Sequence, residues 1–64
     1  MNHYSIRKDF LRTPHGREIN RDDIQVDFEH GGWWVTVKPT GAQYAVNEAS
    51  NGFDYEQVTA PDDE

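Results

Sequence analysis

Few side chains in this 64-residue sequence suit covalent or acid–base chemistry. Histidine is the side-chain type suited to proton transfer near neutral pH, and the sequence has three, His3, His15 and His30. The only serines are Ser5 and Ser50, and there is no cysteine. A catalytic centre needs a nucleophile, a base and an orienting group within hydrogen-bond reach. Turn residues surround His15 and His30, and His3 lies near the terminus, so the spacing gathers no such group. The adjacent pairs Asp22-Asp23 and Asp62-Asp63 read as solvated charge rather than as carboxylates with separated pKa values. Asp27, Glu29 and His30 offer a cation a few ligands, but zinc spacings are absent. Residues 47–58 lack ligand oxygens where a calcium loop requires them, at Ala49 and Val58. No phosphate-binding or dinucleotide glycine pattern occurs. The expectation is a non-enzymatic chain with no catalytic residues, no metal and no cofactor.

Binding chemistry is better represented. Trp33-Trp34 places two large aromatics on consecutive positions, and consecutive strand residues point to opposite faces. Only one of them can enter a given core. Charge is also unevenly placed. Residues 1–21 carry Arg7, Lys8, Arg12, Arg17 and Arg21 against Asp9 and Glu18, a net +3. Residues 22–64 carry Lys38 against ten acids, a net −9, within an overall −6. Such a split argues about partners and encounter rather than fold, and it also fits two halves that attract each other within the folded domain.

The elements that must position these groups follow from the turns. Thr13-Pro14-His15-Gly16, Glu29-His30-Gly31-Gly32, Pro39-Thr40-Gly41-Ala42 and Ser50-Asn51-Gly52 recur at short intervals, separated by apolar alternation. That rhythm predicts an all-β domain, a small antiparallel meander or SH3-like open barrel of four to five strands. Ile24, Val26 and Phe28 alternate with polar residues. A return through the loop 29–32 sets them opposite Val37, Val35 and Trp33. With Thr40-Gly41 as the next loop, Val37 faces Tyr44 and Val35 faces Val46. Asn51-Gly52 is a strong hairpin signal and brings Phe53 and Tyr55 to the same face. The expected core face is Ile24, Val26, Phe28, Trp33, Val35, Val37, Tyr44, Val46, Phe53 and Tyr55.

The N-terminal segment supports two structures. Phe10-Leu11-Arg12 can pair with Arg17-Glu18-Ile19 across Pro14-His15-Gly16, which is the reading preferred here. The rival is a short helix from Ser5 to Arg12, capped by Ser5. Residues 1–59 form the single domain and 60–64 an acidic tail. So short a chain buries only about 60% of its unfolded surface. Without cysteines it depends on turn chemistry, a compact aromatic core or self-association. Its longest apolar run, Trp33-Trp34-Val35, is far below a membrane span, and the opening Met1-Asn2-His3-Tyr4 has no secretory character, so a cytoplasmic location is expected.

Trp34 then shares a polar face with Thr36, beside Asp27 and Asn47. Either the N-terminal segment folds over it as a second small core, or it is a contact anchor, a role in which tryptophan is enriched. The expected function is a protein-interaction module or inhibitor offering Trp34, Asp27, Glu29 and Asn47 to a protein with a basic surface. An alternative is a single-stranded nucleic-acid-binding barrel, with Arg7, Lys8, Arg12, Arg17 and Arg21 lining a groove beside Tyr4 and Trp34. The net −6 opposes it by repelling phosphate. A homo-oligomeric structural protein pairing edge strands or Trp34 across a two-fold axis is the third reading.

Overall fold

The computed structural model describes residues 2–61. A helix, α1 (His3–Phe10), precedes a 3-10 turn (Arg21–Asp23) and four strands, β1 (Ile24–Glu29), β2 (Gly32–Val37), β3 (Ala42–Ala49) and β4 (Gly52–Thr59). The strands form one antiparallel sheet in the order β1-β2-β3-β4, an open meander mostly of β structure. Of the tail, Ala60 and Pro61 follow β4 as coil, and 62–64 lie outside the described residues.

The N-terminal segment is helix rather than strand, which corrects the preferred sequence reading. Its start lies two residues earlier than the rival helix required, with Asn2 as the cap instead of Ser5. Asn2 Oδ1 accepts from the Ser5 backbone N–H at 2.8 Å, and Ser5 Oγ accepts from the Asn2 N–H at 3.1 Å. This reciprocal capping box satisfies two otherwise orphaned donors. Beyond it, Ile6 and Phe10 lie four residues apart on one helix face, and both are fully buried. Tertiary burial, more than eight residues of propensity, holds this helix in place. Residues 11–19 then descend through successive turns rather than pairing as strands.

Against that helix lie Ile24, Val26, Val35, Val37, Ala42, Tyr44 and Val46, all buried, with Leu11, Ile19, Trp33, Phe53 and Tyr55 packed around them. Phe10 is the hub, its ring 5.2 Å from Tyr44 and 5.1 Å from Tyr55. The Tyr55 hydroxyl donates to Asp9 Oδ2 at 2.8 Å, tying α1 to β4. Burial first, and then that carboxylate, raise the Tyr55 pKa far above the usual phenol range, so the tyrosine stays a neutral donor.

The β1–β2 register is as the alternation predicts: Ile24 opposite Val37, Val26 opposite Val35, Phe28 opposite Trp33. The turn is tighter than a four-residue loop. Glu29 pairs with Gly32, and His30-Gly31 alone reverse the chain with φ of 54° and 77°, the signature of a type I′ turn. The β2–β3 pairing differs by two residues from expectation: Val37 faces Ala42, Val35 faces Tyr44 and Trp33 faces Val46. Here Lys38-Pro39-Thr40-Gly41 all enter the loop, closed by a 2.7 Å bond from the Gly41 N–H to the Val37 carbonyl. Proline has no N–H for a ladder, and Gly41 at φ 77° supplies the left-handed residue the longer loop requires. A two-residue slip preserves face, so the core set survives it. The last turn is Ser50-Asn51, between paired Ala49 and Gly52, one residue earlier than the Asn51-Gly52 signal, and it brings Phe53 and Tyr55 to the core face as expected, with Tyr55 opposite Val46.

Phe28 departs from the predicted core. It lies on the helix side of the sheet but past the reach of α1, is 55% exposed, and touches Trp33 at a centroid distance of 4.9 Å. Trp33 itself is partly buried, with the His3 ring edge-on to it at 4.9 Å.

One close approach makes a prediction. A Cβ on buried Gly16 would sit 2.5 Å from the Phe10 carbonyl oxygen and 2.8 Å from its ring. Gly16→Ala must therefore displace the central side chain. It is expected to destabilise by about 1–3 kcal/mol, as overpacking does, read from the urea midpoint. An unchanged midpoint would show that residues 11–19 do not clamp Phe10.

Candidate functional site

α1 covers the face bearing Trp33, and no described element covers the opposite face of the sheet. This decides between the two readings of Trp34: the N-terminal segment makes no second core over it. Alternation assigns this open face Gln25, Asp27 and Glu29 from β1, Trp34 and Thr36 from β2, Gln43, Ala45 and Asn47 from β3, and Asp54 and Glu56 from β4. None of these side chains is buried, and none is Lys or Arg.

Its centre is a row across all four strands. Asp27 pairs with Trp34, Trp34 with Ala45, and Ala45 with Glu56. With strands about 4.8 Å apart, the row spans roughly 14 Å with a carboxylate at each end. Ala45 is small and leaves the flank of the indole open toward Glu56. Trp34 is half-buried, and its Nε1–H donates to the Glu29 carbonyl at 3.0 Å, which fixes the ring toward the β1–β2 turn. With the N–H engaged, the ring offers a partner apolar area and a π face.

The sequence-derived site is thus only partly assembled. Asp27 and Trp34 are direct neighbours. Glu29 contributes its backbone carbonyl to the indole, and its exposed side chain shares the face. Asn47 is not beside Trp34 as expected. The two-residue slip puts Ala45 there and pairs Asn47 with Asp54. Glu56 and Asp54 were missed. Finding both needs the correct β2–β3 register and a last turn at Ser50-Asn51 in place of Asn51-Gly52.

Side-chain hydrogen bonds order the rest of the face. Gln25 Nε2 donates to both Asp27 oxygens, at 3.2 and 3.1 Å. Thr59 Oγ1 donates to Gln43 Oε1 at 3.0 Å, and Gln43 Nε2 to Thr36 Oγ1 at 3.4 Å.

None of the basic residues of the N-terminal segment lies on a strand of this face. Arg7, Lys8 and Arg21 line a concavity with Tyr4 and Leu11, whereas Arg12 and Arg17 are exposed outside it. A single groove uniting all five with both Tyr4 and Trp34 therefore does not form. The histidines remain apart: His3 on Trp33, His15 with its ring 5.0 Å from Tyr44, and His30 in the first hairpin turn. Among the described residues no three His, Asp or Glu side chains gather as a metal site, and no helix is long and apolar enough to cross a membrane. Comparison with protein-family models, with curated proteins and with solved structures gives no match.

Proposed function

We propose that the chain is a non-catalytic interaction module whose open sheet face binds a basic protein surface, as an inhibitor or adaptor would. The observation that carries this reading is the row Asp27–Trp34–Ala45–Glu56, an indole held between carboxylates on strand positions none of which is Lys or Arg. Acidic groups around an aromatic anchor steer a cationic partner and fix its register, while the ring supplies buried contact. An arginine on the partner can also stack over the indole. The two-fold pairing of this face with a second copy is disfavoured, because it would oppose like charges.

The test is titration with an arginine-rich nonapeptide by calorimetry. Glu56→Lys, on the face, is expected to weaken binding at least tenfold. Glu18→Lys makes the same charge change in the turns of the N-terminal segment, and its effect should stay within about twofold once salt shortens the Debye length to about 8 Å. Equal effects from the two would mean that net charge alone attracts the peptide, and the face would have no special role.

A further inference from the structure

On the helix side, away from Trp34, a pocket of about 220 Å³ is lined by Tyr4, Arg7, Lys8, Leu11 and Arg21. Four of these recur at helix spacing i, i+3, i+4 and i+7, so they form one stripe along α1. Arg21 reaches the same pocket from the 3-10 turn before β1. Three cations thus converge on a concavity that no carboxylate among the described residues lines. Arg7 Nε is buried and has no hydrogen-bond partner among the described residues.

We propose that this pocket binds a phosphomonoester whose alcohol portion bears a planar ring, as a nucleoside 5′-monophosphate does. Arginine suits this role because its planar fork matches phosphate oxygens two at a time, and lysine adds a point charge. Tyr4 is 65% exposed and lies at the pocket wall, so its ring is free to stack on a base. Whole drug-sized ligands occupy pockets from about 300 Å³ upward. At its smaller volume this one takes the phosphate end and leaves the ring against Tyr4. Leu11 closes the apolar side.

The experiment is calorimetric titration of the full chain with AMP, adenosine and inorganic phosphate. AMP is expected to bind one-to-one with Kd below about 1 mM, inorganic phosphate more weakly, and adenosine not measurably. Arg21→Gln and Arg7→Gln should each weaken AMP at least tenfold. Tyr4→Ala should weaken AMP but leave phosphate unchanged. Arg17→Gln removes an equal charge outside the pocket and should change AMP binding less than twofold. Arg7 is half-buried, so circular dichroism checks its fold, while Arg21 is exposed and tests the phosphate contact without that complication. The proposal fails if AMP does not bind, if Arg21→Gln matches the parent chain, or if Arg17→Gln does as much damage. Phosphate binding as tightly as AMP would remove the planar ring from the assignment. None of these outcomes depends on the acidic face, which is tested with a cationic peptide.

Discussion

Replacing Phe10 by alanine is expected to unfold most molecules at 25 °C. Phe10 is fully buried and touches Tyr44, Tyr55 and the Gly16 turn together. Truncating such a phenylalanine costs about 3–5 kcal/mol, from lost transfer energy and the cavity left behind. A single hydrophobic core in a domain of 64 residues rarely supplies more than about 3–5 kcal/mol. The loss is therefore most of what the fold possesses. Three elements fail together, since α1, the turns 11–19 and the helix-side face of β3–β4 all meet at this ring. Arg12→Ala, two residues on and exposed, should cost under about 0.5 kcal/mol. Urea denaturation followed by far-ultraviolet circular dichroism measures both. A Phe10→Ala cost below about 1.5 kcal/mol would mean that α1 is not seated on the sheet as described.

That dependence explains which parts of the fold were legible in the sequence. The strands were readable because period-two alternation over Ile24–Glu29 and Gly32–Val37 specifies both face and pairing locally. Face assignments even survived the mistaken β2–β3 loop, because a slip of two residues leaves alternation intact. The site was more fragile. Trp34's cross-strand neighbour changes with that same slip, from Asn47 to Ala45, and with it the distance to every β4 carboxylate. Face is a parity, whereas a site is a set of neighbours. The helix was harder still. Its capping box, Asn2 with Ser5, is a local signal in plain view, yet eight residues with two buried positions do not decide between helix and strand. What decides is the sheet surface that Ile6 and Phe10 fill, which is a tertiary fact.

Trp34→Ala is expected to weaken binding of the arginine-rich peptide by about 2 kcal/mol, near thirtyfold, as truncation of a hot spot does. The same change should cost the fold little. Trp34 is half-buried, no described element covers it, and its one hydrogen bond, to the Glu29 carbonyl, contributes about 1 kcal/mol at most. Trp34→Phe separates the parts of the side chain. It keeps an aromatic face but loses the N–H that orients it. If contact with the ring is what matters, phenylalanine retains most of the affinity, within about fivefold, since a cation over phenylalanine is weaker than over tryptophan but still attractive. Electrostatic attraction alone predicts a different result, because neither substitution changes charge and both variants would then bind like the parent. The third pattern, in which Trp34→Ala lowers the urea midpoint as far as a core truncation does, would place the indole in a packed environment and remove it from the interface. Measuring affinity and stability on the same three proteins separates these outcomes, since each mechanism moves a different pair of measured values.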